Sequence, residues 1–370
     1  MKKILLVQDA LNTGGAEKLL IDILNGLDYS KYSIDLLLLY KQGEYLSQVN
    51  SNVNLKYIFP EIKYNNKIYK KIYYMLAKIV FRPMFIKILS FLYIKDDYDY
   101  QVGFIEGYST AIVASSAKKS KKIAWVQSHL NVYKPLSENY QNNVYKKIDK
   151  IIAISNGVKK TIIDVVDDDN IKNKIKVIYN FVDREKIEEL SKIPINCNEK
   201  YILAVGRLEK VKRFDLLIME FYKTAKKYSD VNLLILGQGS EYSNYKNLII
   251  SLGMEKRIKL LGFNDNPYPY IKKSEALIIS SISEGLSLVC IEATMLKTSI
   301  ITTICGGPEE IIEYGKCGYI VNGNNISEQL EKIFTNSKEK EKKIELAYLN
   351  SKKFDKDTYI KNIDLLFSGK

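Results

Sequence analysis

The stretch "SEGLSLVCIEAT", residues 283–294, holds two glutamates separated by seven mostly small or apolar residues. The apolar run "EALIISS" just before it predicts a β-strand, and the residues from Ser287 onward predict a helix. Glu284 would then lie past the end of the strand, and Glu292 within the first two turns of the helix. Because burying a carboxylate costs free energy unless a partner satisfies it, we expect both glutamates to have partners or ligands.

The junction between this strand and this helix favours a ligand site. Gly285 permits a tight turn, and the first free N–H groups of a helix attract anions. Both carboxylates could then point into one pocket and accept hydrogen bonds from sugar or ribose hydroxyls. The structural alternative is that Glu284 stabilises the N-terminus of its helix and that Glu292 is buried and paired.

Short apolar runs alternate with longer amphipathic runs along the chain, which predicts parallel sheets covered by helices. The alternation stops at "LSKIPINCNEK", residues 190–200, a polar segment with a proline, and restarts with "KYILAVGRL". We therefore predict an α/β protein with two tandem Rossmann-like, doubly wound domains that face each other across a cleft. The predicted domains span 1–185 and 196–350, and we expect a C-terminal helix over 351–370 to cross back to the first.

The composition restricts the classes of protein to which this chain can belong. No apolar run reaches the roughly 18 residues of a membrane span, and the four cysteines lack the close spacing of a zinc site. His129 is the only histidine, which disfavours a histidine-based metal site. The opening "MKKILLVQDA" is cut by Gln8 and Asp9, so it predicts a first strand and not a signal peptide. We expect a cytoplasmic protein that needs no metal or other cofactor.

The net charge of +13 is concentrated in the first half of the chain. Residues 56–95 carry nine basic residues and one acidic residue, with apolar residues at helical spacing until Pro83 interrupts the pattern. A basic amphipathic helix favours peripheral contact with an anionic membrane; the alternative is a core-packing helix with a solvated lysine face. No nucleic-acid motif accompanies the charge, so nucleic acid is not an expected partner. The apolar positions are Ile68, Ile72, Leu76 and Ile79, and the lysines largely off that stripe are Lys67, Lys70, Lys71 and Lys78.

The segment "VGRLEKVKRFD", residues 205–215, places two cations at the end of another predicted strand. Arg207 follows the strand directly, and Lys212 comes five residues later, just before a predicted helix. The planar guanidinium offers paired donors and the ammonium offers a point charge, a combination that suits a diphosphate. The alternative is that both are solvated surface cations.

The segment "TGGAE", residues 13–17, follows the first predicted strand and opens a helix. Gly14 and Gly15 would let backbone amides approach a phosphate or a sugar closely; the alternative is a plain structural turn. The segment is not Gly-x-Gly-x-x-Gly, so it disfavours the dinucleotide site of a dehydrogenase.

Taken together, these motifs resemble the retaining glycosyltransferases of family 4, which have the two-domain GT-B fold, and in particular bacterial enzymes of surface-polysaccharide synthesis. Each motif is weak by itself, but their order and spacing match over nearly the whole chain. The residues that carry the resemblance are "GGAE" (14–17), "GRLEKVKRFDLLI" (206–218), "LGQGSEYSNYKNL" (236–248), "SEGLSLVCIEAT" (283–294) and "GGPEEII" (306–312).

The resemblance implies a role for each motif. Glu284 would contact the hydroxyls of the donor sugar, and Glu292 would contact the ribose. Arg207 and Lys212 would hold the donor diphosphate and, with Glu284, would make up the catalytic set. The start of the helix would bind the donor phosphates, and the glycines of the first domain would lie against them near the acceptor. The resemblance thus implies an acceptor-binding domain over 1–185 and a nucleotide-sugar-binding domain over 196–350. The further donor-site positions are Gly206, Gly285, Leu286, Ser287 and Leu288, together with Gly14 and Gly15.

Two positions depart from the pattern of this family. Relatives that build surface polysaccharides often have Trp-x-His after a strand of the first domain, whereas "AWVQSHL" has Gln127 at that position and His129 two residues later. Gln127 could still donate a hydrogen bond to a sugar but could not act as a base, and His129 could compensate if the strand end turns. Arg213 stands where the family usually has glycine after the lysine.

As a whole, the resemblance implies a retaining, metal-independent transferase located in the cytoplasm, at the inner face of the plasma membrane. It would move a hexose or an N-acetylhexosamine from a nucleotide sugar, UDP- in preference to GDP-, to a glycan acceptor. The basic first domain favours a lipid-linked acceptor, as in capsule, lipopolysaccharide or exopolysaccharide assembly. Two alternatives stay open: a sugar-nucleotide 2-epimerase, and a catalytically weakened glycan- or nucleotide-binding protein, which the glutamine motivates.

Overall fold

The protein, described here from a computed structural model, consists of two compact units. One unit comprises residues 1–179 with 360–370, and the other comprises residues 180–359. The predicted basic amphipathic helix, with its apolar positions and lysines between residues 67 and 79, lies outside the described part of the chain. The described residues are 1–12, 14–61, 80–132, 136–166, 168–197 and 199–368.

The sheet of the first unit has seven parallel strands. They are β1 (Lys2–Gln8), β2 (Tyr32–Tyr40), β3 (Asn54–Phe59), β4 (Tyr100–Gly103), β5 (Lys121–Val126), β6 (Lys150–Ala153) and β7 (Ile175–Val177). Their order across the sheet is β3-β2-β1-β4-β5-β6-β7. The direction in which the chain winds therefore reverses between β1 and β4, and ligands of doubly wound sheets bind at the strand ends beside such a point.

The sheet of the second unit has six parallel strands. They are β8 (Lys200–Val205), β9 (Val231–Leu236), β10 (Ile258–Gly262), β11 (Leu277–Ile279), β12 (Ile300–Thr303) and β13 (Tyr319–Val321). Their order is β10-β9-β8-β11-β12-β13, so the winding reverses between β8 and β11. Both sheets confirm the predicted α/β class with doubly wound parallel sheets.

Helices connect the strands of both units. In the first unit these are α1 (Gly15–Gly26), α2 (Pro83–Tyr93), α3 (Tyr108–Ser115), α4 (Glu138–Lys146), α5 (Asn156–Val165) and α6 (Asp169–Lys172), with a 3₁₀ turn at Glu44–Gln48. In the second unit they are α7 (Arg184–Leu190), α8 (Phe214–Ala225), α9 (Tyr242–Ser251), α10 (Tyr268–Lys273), α11 (Leu288–Met295), α12 (Gly307–Ile311), α13 (Ile326–Thr335) and α14 (Ser337–Asn350). Short 3₁₀ turns lie at Lys210–Lys212, Glu313–Gly315, Gly323–Asn325 and Ser351–Phe354, and α15 (Lys356–Ser368) ends the described chain.

The core of the second unit shows why these segments fold as they do. Strand β9 reads "VNLLIL" and is buried at all six positions, as expected for a parallel strand covered on both faces. Helix α8 places Phe214, Leu217 and Phe221 against the same core, because residues three or four apart share one face of a helix. Helix α7 packs on α10 and α11, and the segment 190–200, where the alternation stops, accordingly lies inside the second unit.

The last helix contributes its C-terminal part to the first unit. Phe367 packs edge-on against Tyr32 and lies 5.1 Å, centroid to centroid, from the ring of Tyr100. The Tyr32 hydroxyl donates a hydrogen bond of 2.7 Å to Asp364. These contacts hold the part of α15 from Ile360 onward on the first unit, which therefore consists of two separate stretches of chain.

Helix α2 presents an apolar face to solvent. Met84, Ile88, Phe91 and Leu92 recur at helical spacing, and Met84 and Phe91 are 71% and 78% exposed. Pro83 begins this helix, as the sequence predicts for a proline that interrupts the preceding pattern. Among the described helices, none combines the length and the apolar character needed to cross a bilayer.

The loop between β8 and α8 contains a residue in the left-handed region. Arg213 has φ 51° and ψ 41°, at the position where the resemblance predicts glycine. Side chains other than glycine lose roughly 1–2 kcal/mol in this conformation. The sequence departure at Arg213 therefore carries a strain that glycine would relieve.

We predict that Arg213→Gly is more stable than Arg213→Ala by about 1 kcal/mol, because both variants lose the exposed ion pair with Asp215 and only glycine relieves the backbone. Urea unfolding measures the difference. As a control, Lys210→Gly should be less stable than Lys210→Ala, since Lys210 lies in a regular 3₁₀ turn. Equal stabilities of the two Arg213 variants would contradict the proposed strain.

Candidate functional site

The strand ends of the second unit bring together the two motifs that the sequence places on either side of the winding reversal. Lys212 follows β8, and Glu284 follows β11, and these two strands are neighbours in the sheet. The ammonium of Lys212 lies 2.5 Å from Oε1 of Glu284. The two side chains are only 20% and 14% exposed, so water screens this ion pair incompletely.

The ion pair leaves hydrogen-bonding capacity open on both partners. Oε1 of Glu284 also accepts a 2.7 Å hydrogen bond from the Ser281 hydroxyl, whereas Oε2 has no hydrogen-bond partner among the described residues. An ammonium has three donors, of which one points at Glu284. The pair can therefore accept a hydroxyl on Glu284 and donate to an anion from Lys212 at the same time.

The backbone on both sides of the pair is tied together. The Ser280 hydroxyl donates to the carbonyl of Lys212 at 2.8 Å, and the N–H of Ile282 donates to the carbonyl of Val211 at 2.8 Å. The stem of Lys212 runs beside Gly206, where a Cβ would lie 3.5 Å from Cε of the lysine. These contacts hold the loop after β8 against the loop after β11.

The loop after β12 supports Glu284 from the other side. The N–H of Glu284 donates to the carbonyl of Cys305 at 2.8 Å, and the N–H of Gly307 donates to the carbonyl of Glu284 at 2.9 Å. A Cβ on Gly307 would lie 2.5 Å from the carbonyl oxygen of Gly285, so only glycine permits this approach. This close approach explains the second glycine of the "GGPEE" segment.

Glu309 organises this loop, although the sequence reasoning gave it no role. Its Oε1 accepts the N–H of Cys305 at 2.9 Å, and its Oε2 accepts the N–H of Gly306 at 2.7 Å. Glu309 is also the third residue of α12, and its bond to the N–H of the N-cap residue Gly306 is the glutamate half of a capping box. The signal was available in the sequence as a glutamate three residues after Gly306.

Helix α11 begins with its N-terminal amides uncapped by a side chain. Ser287 is the N-cap residue, and its hydroxyl makes no capping hydrogen bond. The N–H groups at the start of α11 follow directly after Gly285 and Leu286. Such a terminus attracts an anion through its free N–H groups and its dipole.

Glu292 lies one turn into α11 and is 5% exposed. The hydroxyl of Tyr268, at the start of α10, faces its Oε1 at 3.4 Å. The sequence gave no indication of this tyrosine, because 24 residues separate the two positions. Contact of Glu292 with a ribose stays a prediction.

Arg207 is held less tightly than Lys212. Its side chain is 64% exposed and pairs with Glu209 at 2.9 Å, two residues along the chain. The N–H of Gly206 donates to the carbonyl of Leu236 and fixes the backbone just before Arg207. The guanidinium can therefore turn toward a ligand, because an exposed ion pair contributes little to stability.

The first unit places its own predicted residues at strand ends. Gly14 and Gly15 open α1, and no side chain caps that helix. A Cβ on Gly14 would overlap the carboxylate of Glu17. The glycine therefore leaves room for an acidic side chain beside the helix terminus.

Gln127 and His129 both follow β5, but they have different neighbours. Gln127 is 8% exposed, and its side-chain amide faces the carbonyl of Phe104 at 3.5 Å. His129 lies against the start of α5, where a Cβ on Gly157 would be 3.3 Å from its Nε2. Whether either side chain contacts a sugar stays a prediction.

Glu106 is a further residue that the sequence reasoning missed. It lies in the loop between β4 and α3, is 2% exposed, and accepts the N–H of Gln127 at 2.8 Å. Burial raises the pKa of its carboxyl group, while hydrogen bonds from Gln127 and Ser128 oppose that shift. It fixes the backbone of the loop that carries Gln127.

The second unit is similar to a known protein family. Residues 183–350 match the family model described as "Glycosyl transferases group 1". The matched segment includes Lys212, Glu284, Glu292 and Glu309.

Two curated relatives are similar in sequence. One is the N-acetylgalactosamine-N,N'-diacetylbacillosaminyl-diphospho-undecaprenol 4-alpha-N-acetylgalactosaminyltransferase of Campylobacter jejuni, 32% identical over 218 residues, which are 58% of each chain. The match therefore spans somewhat more than half the length of that relative. The other is an uncharacterized glycosyltransferase of Haemophilus influenzae, 26% identical over 340 residues, which are 90% of this chain and 89% of the relative.

One solved structure extends the likeness to the whole chain. The Anabaena HepE protein in complex with UDP and glucose superimposes with a TM-score of 0.79 at 18% identity, covering 100% of both chains. At this identity the likeness shows the fold alone, and it confirms the GT-B fold. Together, the comparisons show a chain with this fold whose second unit is similar in sequence to glycosyltransferases.

We predict that Glu309→Ala lowers the free energy of unfolding by about 2 kcal/mol, because it leaves two N–H groups of a buried loop without their acceptor. Glu309→Gln should cost about half as much, since one acceptor oxygen remains. Urea unfolding measures both values. As a control, Glu328→Ala should change stability by less than about 0.5 kcal/mol, because Glu328 bonds only at the surface of α13. A Glu309→Ala variant as stable as this control would contradict the role of Glu309.

Proposed function

We propose that this protein is a retaining, metal-independent glycosyltransferase. It moves a hexose or an N-acetylhexosamine from a UDP-sugar to a lipid-linked glycan acceptor in the assembly of a bacterial surface polysaccharide. The observation that carries the proposal is the partly buried ion pair between Lys212 and Glu284, which lies at the winding reversal of the second sheet beside the start of α11.

This arrangement matches the charge distribution of a nucleotide sugar. A nucleotide sugar carries the neutral hydroxyls of its sugar next to a doubly charged diphosphate. The ion pair of Lys212 and Glu284 offers an open carboxylate oxygen next to open ammonium donors. The uncapped start of α11 adds further N–H donors for a phosphate. Glu284 therefore binds the sugar, while Lys212 and the helix terminus bind the diphosphate.

The same groups can lower the barrier of the transfer. Breaking the bond between the anomeric carbon and the phosphate oxygen leaves negative charge on the departing nucleoside diphosphate. Lys212 and Arg207 stabilise that charge more strongly in the transition state than in the ground state, and cations of this kind can take the place of a divalent metal ion. Lys212 is already positioned before the ligand binds, so little reorganisation is needed.

Retention of the anomeric configuration follows from the resemblance to family 4. In that mechanism the acceptor attacks from the same face that the leaving group departs from, and an oxygen of the donor phosphate takes the proton of the acceptor. The protein then supplies orientation and charge stabilisation, and no side chain acts as a nucleophile.

The relatives support the choice of donor and acceptor. The similar Anabaena structure is a complex with UDP and glucose, which favours a UDP-sugar. The name of the similar Campylobacter enzyme specifies a saccharide linked through diphosphate to undecaprenol, which favours a lipid-linked acceptor. An acceptor of this kind is also consistent with a protein that meets the membrane at its surface.

The exposed face of α2 supports peripheral membrane contact. Residues 80–95 contain the exposed cations Arg82, Lys87 and Lys95 and no acidic residue. Apolar side chains next to cations bind the surface of an anionic bilayer through burial and charge together. We place the enzyme at the inner face of the plasma membrane on this basis.

We predict that Arg207→Ala and Glu284→Ala each lower kcat/KM by roughly 100-fold or more while the protein stays folded, because each removes a group that contacts the donor in the transition state. The assay follows transfer from UDP-glucose, UDP-galactose and their N-acetyl forms to a polyprenyl-diphosphate-linked sugar. Proton NMR of the product reads its anomeric configuration, and an α-product from the α-donor shows retention.

Lys200→Ala is the matched control for the loss of a cation. Lys200 begins β8 and pairs with Asp230, so it lies at the opposite end of the strand from Arg207. Its removal should leave kcat/KM unchanged. Rates like those of the wild type in either site variant would show that the site lies elsewhere.

We predict that Phe91→Ser weakens binding to vesicles containing phosphatidylglycerol, because a 78% exposed aromatic side chain gains favourable burial in the bilayer interface. Replacing Lys67, Lys70, Lys71 and Lys78 with glutamine should weaken it further and reduce its dependence on salt. Vesicle sedimentation measures both effects. Leu365→Ser, an exposed apolar residue of α15 in the same unit, serves as control, and equal binding of all variants would contradict membrane contact through this region.

A further inference from the structure

The second unit has a cavity beside the loop that carries Lys212. Its volume is about 370 Å³, within the range of roughly 300–1,000 Å³ that small-molecule sites occupy. The walls come from the loop after β8, the starts of α8 and α9, and the loop after β11. The loop after β8 directs Lys212 toward Glu284 and presents Lys210 and Arg213 to the cavity. The function proposed above uses none of the residues that line it.

The charged side chains of the cavity balance one another. Lys210 and Arg213 are cations, whereas Asp215 and Glu241 are anions. Arg213 pairs with Asp215 at 3.2 Å, and Glu241 accepts a 2.8 Å hydrogen bond from the side-chain amide of Asn244. A lining with no net charge gives a phosphate group no overall attraction. The cavity therefore favours a neutral ligand.

The polar groups of the lining keep hydrogen-bonding capacity for such a ligand. The ammonium of Lys210 and Oε1 of Glu241 have no hydrogen-bond partner in the described part of the chain, and neither has Oδ1 of Asn244. Arg213 uses only its Nε–H, toward Asp215. Donors and acceptors therefore stand side by side. Hydroxyl groups on neighbouring carbons need such a set, because each hydroxyl both donates and accepts.

An apolar surface lies among these polar groups. Tyr245 is buried and Leu248 is half-buried, whereas Ile282 is 56% exposed. Ile282 is held in place, because its N–H donates to the carbonyl of Val211 at 2.8 Å. An apolar wall with convergent polar groups suits a ligand that has an apolar face and a hydroxylated edge. A pyranose ring has both, since its C–H groups form the face and its hydroxyls form the edge.

We propose that this cavity is a second saccharide site, which binds one sugar of the glycan at a distance from the bond that is formed. The proposal rests on the transferase function, because the glycan of that reaction supplies the sugar. The cavity adjoins the candidate donor site within the second unit, since Ile282 lies two residues before Glu284 and Lys210 shares a loop with Lys212. It adds affinity for an oligosaccharide and takes no part in breaking the donor bond.

The first experiment measures binding of lactose, cellobiose, maltose and N,N'-diacetylchitobiose to the full chain by saturation-transfer NMR, with and without UDP. The wild type should bind at least one of these disaccharides. Glu241→Ala removes an acceptor and should weaken that binding roughly 10-fold. Asn244→Trp should abolish it, because the indole fills the cavity. Asn244 is exposed on α9, so the chain should stay folded.

Glu339→Ala is the matched control for Glu241→Ala. Glu339 accepts a 3.2 Å hydrogen bond from the side-chain amide of Asn336, a contact of the same kind as that between Glu241 and Asn244, but it lies outside the cavity. This variant should bind the disaccharide as the wild type does. The affinity for UDP should be equal in all variants, because none of the altered side chains bonds to the ion pair of the donor site.

The second experiment compares polyprenyl-diphosphate acceptors that carry one sugar and three sugars. Glu241→Ala should raise KM for the longer acceptor roughly 10-fold and leave its kcat unchanged, because the cavity contributes binding only. Both constants should stay unchanged for the shorter acceptor. A merely structural defect would instead lower kcat for both acceptors.

The outcomes separate this proposal from the proposed function. If no disaccharide binds the wild type, or if Asn244→Trp binds it equally well, the saccharide site is overturned, and intact UDP binding in the same samples leaves the donor site standing. Binding of inorganic phosphate that Lys210→Ala removes, with no disaccharide bound, also overturns it in favour of an anion site. Absence of UDP binding, with disaccharide binding that Asn244→Trp abolishes, overturns the donor site and leaves the saccharide site standing.

Discussion

The ion pair between Lys212 and Glu284 is the interaction on which the candidate site depends. Taking an ammonium and a carboxylate partly out of water costs free energy, and pairs of this kind add little net stability. The contribution of this pair is instead geometric. It fixes the ammonium of Lys212 2.5 Å from one carboxylate oxygen of Glu284 and leaves the other oxygen open. Ser280, Ser281 and Glu309 hold the loops that carry the pair. A nucleotide sugar needs this combination, because its hydroxyls and its diphosphate are adjacent.

The two units share the same winding reversal but place different charges beside it. In each sheet the winding reverses between two neighbouring strands, and a polar side chain follows each of them. In the second unit these are Lys212 and Glu284, which attract each other. In the first unit they are Asp9 and Glu106, and burial, with a smaller contribution from the charge of Glu106, raises the pKa of Asp9.

The sequence predicted the sheets and the motif positions well, because both depend on local patterns. The buried strands, the helix after Ser287 and the restart at Pro83 follow from periodicity and from backbone chemistry. The contacts between side chains could not be predicted, since they join residues far apart in sequence: 72 positions separate Lys212 from Glu284. Sequence reasoning therefore gave the two residues separate roles and overlooked Glu309, Tyr268 and Glu106. The left-handed backbone of Arg213 was indicated only by the glycine that the family usually has at this position, because arginine itself gives no sign of it.

The most direct test of the central claim is the melting temperature of the purified protein with UDP, GDP, ADP and CMP, each with and without EDTA. A ligand that binds the folded state raises this temperature, and the rise grows with the logarithm of the ligand concentration above Kd. The account predicts a clear rise with UDP that EDTA does not change and that Lys212→Ala abolishes. No rise with any nucleotide, a rise that needs a divalent cation, or an undiminished rise in Lys212→Ala would contradict a diphosphate site built on this ion pair.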